Sequence, residues 1–295
     1  MASLAPPSPR TSRPEDPRSL ADRAVPPPTT PPTADADVIA GGRPIPVDED
    51  DPRAAEPLVD IAEAGLAGEA FYARGDGGNA PYHRRLDGAP DRILLRAGVV
   101  ERLAGVDARL AEAGLALFLL DGWRPFAVQE ALWAFFLDDA RAAGAADEAA
   151  ARAEALQYCG DPTRYDPGDP ATWPAHQTGG AVDLTLARRA PNGRIEPLFM
   201  GGLFDDPSPV SHTAAFETQS PAGPLAGSAS AAAARANRRI LYWSMREAGF
   251  TNLATEWWHY DFGDRLWAAG LVARGQAETP PAAFYTPTAP AGDGR

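Results

Sequence analysis

The chain has 295 residues, 44% of them hydrophobic, enough to bury the core of one large domain flanked by tails. A net charge of −13 with no clustered basic footprint excludes a phosphate-backbone partner such as nucleic acid, and all 27 basic residues are arginine. The single cysteine, Cys159, excludes both an intramolecular disulfide and a thiolate metal cluster.

Twelve of the 31 prolines fall within residues 1–46, with few large apolar residues among them. Such a segment offsets little of its ordering entropy, so 1–47 is expected to be a disordered or extended leader. It lacks the continuous apolar core of a secretory signal, and no later stretch approaches the roughly 18 apolar residues of a membrane span. The expected setting is therefore the cytoplasm, with no membrane partner. Recurrent apolar residues mark 48–275 as the folded unit, and 276–295 reads as a second loose tail.

Within that unit, "AGVVERLAGVDARLAEAGL" places Val99, Val100, Leu103, Val106 and Leu110 on one helical stripe that closes at Gly114. "LALFLLDGW" reads as a buried strand ending at Asp121-Gly122. "FAVQEALWAFFLDDARAAG" and "DEAAARAEALQYCG" are two further helices, the second carrying Cys159 as a half-buried structural residue. "GAVDLTLARRAPNGRIEPLFM" holds two strand-like runs around "PNG", a hairpin signal. "SAAAARANRRILYWSMREAGF" is a fourth helix, and the aromatic run "TEWWHYDFG" suggests a central strand. Helices, a hairpin, a helix and a strand in this order predict a single α+β domain with a central antiparallel sheet flanked by helices. No glycine-rich phosphate loop follows any strand, so nucleotide binding has no support.

Four histidines are present, and His176 precedes Asp183 by seven residues in "HQTGGAVDLTL". Such a spacing alone arises by accident; here Gly179 and Gly180 permit a tight reversal, after which Asp183 and Thr185 face away from Val182, Leu184 and Leu186. In "EWWHYDF", Glu256 lies three residues before His259. On a regular strand the two would face oppositely, so both can serve one site only if Glu256 precedes the ladder or sits at a bulge. Asp261 then shares the side of His259, while Trp258, Tyr260 and Phe262 face the core. His176, Asp183 and His259 suit a catalytic metal site, which takes three protein ligands and leaves one position open. In "DGWRPF", Arg124 follows a strand end, where a rigid guanidinium can stabilise an oxyanion.

"DGWRP", "HQTGGAVDLTL", "MGGLFDD…SHT" and "EWWHYDF" occur in the order of the signatures of the zinc D-alanyl-D-alanine dipeptidases, the type known from vancomycin resistance. The chain resembles this family over about residues 58–262, and through it the wider D-Ala-D-Ala metallopeptidases, whose fold is shared with lysostaphin-type enzymes and the hedgehog signalling domain. The resemblance implies one Zn²⁺ per chain held by His176, Asp183 and His259, Glu256 as catalytic base, and Arg124 as stabiliser of the tetrahedral intermediate. It further implies Asp205 as the carboxylate that receives the free amino group of a small dipeptide. Asp121 is grouped with the substrate side of the site and is expected to orient Arg124. The chain departs from the pattern at Pro174, where better-known members carry a small hydroxylic residue two positions before the first ligand, so the resemblance implies neither a substrate contact at that position nor a strict dipeptide preference. His212 reads as a loop residue near the site, and His83 as exposed or structural. Two other readings stand beside dipeptide hydrolysis: a peptidoglycan D,D-carboxypeptidase or endopeptidase acting on longer peptides, and a non-catalytic zinc-binding domain.

Overall fold

In the computed structural model, which describes residues 16–217 and 227–290, short elements come first. Helix α1 (Ala36–Ile39) is capped by Asp35, whose carboxylate accepts from the amides of Asp37 and Val38. Strands β1 (Leu58–Asp60), β2 (Ala67–Gly68) and β3 (Leu94–Arg96) follow. Helix α2 (Ala97–Ala111) buries the stripe Val99, Val100, Leu103, Val106 and Leu110, and the chain turns at Gly114, φ 71°. Strand β4 (Leu115–Asp121) leads to α3 (Phe126–Ala142), whose start is set by Pro125. Helix α4 (Glu148–Ala155) is capped by Asp147.

The expected hairpin forms from β5 (Ala181–Arg189) and β6 (Ile195–Pro197), with Gly193 left-handed in its turn. Helix α5 (Ala229–Glu247) is followed by β7 (Thr251–Asn252), β8 (His259–Asp261) and α6 (Arg265–Ala273). The last helix was not apparent in the sequence, where its residues register only as apolar density.

The main sheet runs β2-β4-β5-β8-β7, with β6 on the far end of β5, and β1 pairs with β3 separately. Every pair is antiparallel except the two-residue β2–β4 edge, so the expected α+β class with an antiparallel sheet holds. Helix α2 packs on β4 and α5 on β5. Val182, Leu184, Leu186, Trp258 and Tyr260 join the main core, as their alternation requires. In register, Asp121 pairs with Asp183 and Asp183 with His259, which lines up three polar side chains across three strands.

One sequence expectation fails. Cys159 lies beyond α4 and is fully buried rather than half-buried on a helix; Gln129 Nε2 donates to its Sγ at 3.0 Å, and burial pushes the thiol up to about 12, so it is inert.

The described parts of the leader and tail lie against the domain. Residues 17–22 form a 3₁₀ turn with Leu20 buried, Arg23 stacks on Trp243 at 3.3 Å, and Val47 bridges to Ala283 of the tail. Phe284 and Tyr285 are core residues. Arginines rather than apolar side chains make much of this attachment: Arg239 donates to Ala21 O, Arg274 to Pro26 O and Arg96 to Thr286 O. Proline-rich backbone supplies acceptors without needing donors of its own to be satisfied, which suits it to this mode of attachment. The rest of the expected disordered leader, residues 1–15, lies outside the described residues, as does 291–295 of the tail.

Candidate active site

His176 sits in a 3₁₀ turn, Ala175–Thr178, ended by Gly179 at φ 71°. Gly179 is required by its left-handed backbone, and Gly180 by close packing, since a Cβ there would lie 2.6 Å from Phe262 O. The His176 Nδ1 lies 2.8 Å from Gly122 O, an arrangement that places the proton on Nδ1 and turns Nε2 inward. The His176 Nε2 is 3.4 Å from Asp183 Oδ2 and 3.2 Å from His259 Nδ1, and the latter is 3.0 Å from Asp183 Oδ1. Ligand atoms of the three residues all lie within 4.8 Å of one another. On its other side, His259 Nε2 lies 2.9 Å from Asp261 Oδ1, so the strand neighbour predicted to share its face orients the ring.

Glu256 lies in the turn before β8, off the ladder, as its spacing from His259 demanded; Oε2 is 3.6 Å from His259 Nδ1. Arg124 is buried and donates through Nε to Asp121 at 2.8 Å, through Nη1 to Gln129 at 3.0 Å, and through Nη2 to Asp183 at 3.2 Å and Tyr72 Oη at 3.3 Å. Arg124, His176, Asp183, Asp205, Glu256 and His259 line one cavity of about 130 Å³. Asp121, grouped with the substrate contacts in the sequence, does not line it. Its carboxylate lies behind Arg124, where it accepts the guanidinium and comes within 3.6 Å of His176 Nδ1; the strand register that puts it beside Asp183 keeps it off the cavity.

Asp205, another lining residue, has φ 58°, left-handed backbone that aspartate tolerates better than most residues. Its Oδ2 accepts both Tyr72 Oη at 2.7 Å and Tyr82 Oη at 3.0 Å.

Electrostatically the two carboxylates diverge. Burial alone would push Asp183 up, but the charge and hydrogen bonds of His176 and His259 hold it well below the usual carboxylate range. Burial, reinforced by the nearby Asp183, pushes Asp205 to about 7 despite its tyrosines and Arg124. Burial also raises Glu256 well above its ordinary value, with the His259 charge opposing. Although burial disfavours a charged His259, the carboxylates of Asp261 and Asp183 raise its pKa. An acidic surround able to hold a proton on a buried imidazole equally favours a divalent cation, and two imidazoles with one carboxylate form a donor set that fits zinc.

Several supporting residues escaped the sequence reading. Asn252 Nδ2 donates to the backbone carbonyls of Glu256 and His259, both at 2.9 Å, while its Oδ1 accepts Thr213 Oγ1 at 2.7 Å. The loop carrying Asp205 is tied down by buried Arg238, which donates to Met200 O, Val210 O and His212 O. Among the described residues Arg238 has no carboxylate partner, and burial lowers it to about 9. Tyr72 and Tyr82 are separated from Asp205 by more than 120 residues and carry no local motif. Thr213 was discoverable in part, since it lies in the "SHT" run; its neighbour His212 is a loop residue whose Nε2 is buried without a partner. His83 is exposed, with Nδ1 2.9 Å from Gly77 O, and lies apart from the cavity.

The family described as D-ala-D-ala dipeptidase matches residues 58–274. A D-alanyl-D-alanine dipeptidase of Streptomyces coelicolor is 30% identical over 204 residues, 69% of this chain and 89% of the relative. The Escherichia coli protein of that name is 30% identical over 208 residues, 69% of this chain and 83% of its own length. A Synechocystis namesake is 30% identical over 186 residues, 59% of this chain and 71% of the relative. The matched span contains Arg124, His176, Asp183, Asp205, Glu256 and His259, and with that coverage the chain belongs to the D-Ala-D-Ala dipeptidase family of peptidases.

Proposed function

We propose that this chain hydrolyses free D-alanyl-D-alanine, or a closely related dipeptide, with one zinc ion per chain held by His176, Asp183 and His259. The observation that carries the reading is the convergence of those three side chains within 4.8 Å at the floor of a small cavity, with Glu256 beside them. Zinc at such a site supplies an activated water near neutral pH and polarises the scissile carbonyl. Glu256, 3.6 Å from His259 Nδ1 and lining the same cavity, takes the proton of the attacking water and returns it to the leaving amine. Although burial opposes its charge, Arg124 is kept charged by Asp121 and Asp183 and is fixed by four acceptors, so its fork needs no reorganisation when charge develops on the carbonyl oxygen. Asp121 positions Arg124, and Asp205 receives the substrate ammonium; an arriving cation would pull its proton off and leave an ion pair.

Residues 48–275 form the catalytic domain in this reading. A free dipeptide is favoured over a stem peptide by the small cavity, and a non-catalytic zinc domain is disfavoured because it has no use for Glu256 and Arg124 at the ligands. No helix among the described residues is long and apolar enough to cross a membrane, and the cytoplasmic setting belongs to the proposal. The test is metal analysis of the purified protein together with turnover of a panel of free dipeptides of both chiralities. Zinc near one per chain with release of D-alanine is the expected result; a zinc-loaded protein inactive on every dipeptide overturns the function.

A further inference from the structure

The cavity is not closed by the family-matched span alone. Ala34, Asp35 and Ala36 of the leader line it together with Tyr72 and Asp205, and lie outside residues 58–274. They join a second lining stretch, residues 171–174, ending in Pro174, the position without a hydroxyl.

The attachment of this segment is specific along its length. The Ala34 amide donates to Leu156 O at 3.0 Å, and Asp35 lies 4.0 Å from Arg164, another lining residue. Asp37 accepts Arg265 Nη2 at 2.6 Å, while Arg265 Nη1 donates to Pro170 O at 3.0 Å, so one arginine joins the leader to the 170–174 stretch. Behind it, Ala36, Ile39, Ala40 and Ile45 pack on Trp267, Ala268 and Ala269 of α6. Thr29 Oγ1 donates to Ala273 O at the far end of the same helix.

We propose that leader residues 33–45 are a fixed wall of the active site that acts as a length sieve: it admits a free dipeptide and blocks peptides extended beyond two residues. The inference rests on the hydrolytic reading above. Of the leader's lining residues, Ala34 and Ala36 offer only methyl groups and backbone, and the Asp35 carboxylate is taken up by the amides of Asp37 and Val38 with Arg164 nearby, so this wall discriminates against longer chains by steric exclusion. The wall excludes only if it is stiff, which the Asp37–Arg265–Pro170 link and the α1–α6 packing provide.

The test compares D-Ala-D-Ala with tri-D-alanine on the zinc-loaded full chain, on Asp37→Ala, and on a chain lacking residues 1–45. The expected result is a strong dipeptide preference in the full chain, a several-fold loss of that preference in kcat/KM for Asp37→Ala, and at least a tenfold loss on deletion, all at unchanged zinc content. An unchanged ratio in the folded variants overturns the sieve. Ala34→Trp decides the matter if the deletion fails to fold: a tenfold rise in KM for the dipeptide supports the wall, and an unaltered KM refutes it. Calorimetric binding of the two peptides gives the same ratio without turnover, so inactivity toward dipeptides would count against the proposed function while the sieve is still judged.

Discussion

Asp183 and His259 are register partners on adjacent strands, whereas Asp35, lining the same cavity, belongs to a segment whose only described α-helix has four residues. In the first region the main-chain ladder fixes the spacing of functional groups, and each side chain is then trimmed into place by neighbours such as Gly122 O and Asp261. In the second, arginine side chains are themselves the joints, reaching backbone carbonyls and aspartates of the leader. The difference teaches that truncating a side chain should damage chemistry in the centre without moving the backbone, and should loosen structure in the cover without touching the ligands.

The sharpest test of that division is at the centre. His259→Ala should abolish both metal binding and hydrolysis, while Glu256→Gln should keep the metal and lose about 10²–10⁴ in kcat, read by metal analysis alongside steady-state kinetics. An active Glu256→Gln enzyme would remove Glu256 from the mechanism.

Next in size, Arg124→Ala should lower kcat by about 10²–10³, equivalent to about 2.7–4 kcal/mol of barrier. Because Asp121 and Asp183 both lose their guanidinium partner, a loss of thermal stability should accompany it.

Asp261→Asn should weaken metal affinity by about 10–100-fold, measured by competition with a chelator, since the ring of His259 loses its carboxylate brace. Asn252→Ala, which frees the carbonyls of Glu256 and His259, should affect kcat more than metal affinity if the turn bearing Glu256 is what it holds. Equal losses in both would blur the contrast between ladder and brace.

The smallest effect is on pH dependence. Asp205 is raised to about 7, so the folded protein keeps its proton where the unfolded chain has released it; its contribution to stability is present below about pH 4 and is lost as pH rises through about 7. Asp205→Asn stays neutral and escapes that loss, so its Tm should exceed wild type by a few degrees at pH 8 and the gap should close as pH falls toward 4. If the substrate ammonium binds there, the same variant raises KM for the dipeptide at every pH.

Local patterns made much of this legible. The 3.6-residue stripe of α2, the alternation of β5, the "PNG" turn and the off-ladder position of Glu256 all follow from rules that act over a few residues. Tyr72, Tyr82 and Arg238 were not legible, because nothing near them in the chain differs from an ordinary core aromatic or a helix arginine; their roles exist only after residues more than 20 positions away arrive. Asp121 was expected to orient Arg124 while grouped with the substrate side; a strand-end carboxylate can face either the cavity or the neighbouring guanidinium, and the β4–β5 register turns it to the guanidinium.

By itself the sequence determined which residues could carry the chemistry, since imidazole, carboxylate and guanidinium identities are properties of the side chains, and which short stretches would be helix, turn or strand. Tertiary structure alone decided their separation, their protonation and what encloses them. A pKa or a cavity wall depends on low-dielectric surroundings and on contacts between distant segments, and the leader that composition marked as loose is held in place by partners it meets only in the folded chain.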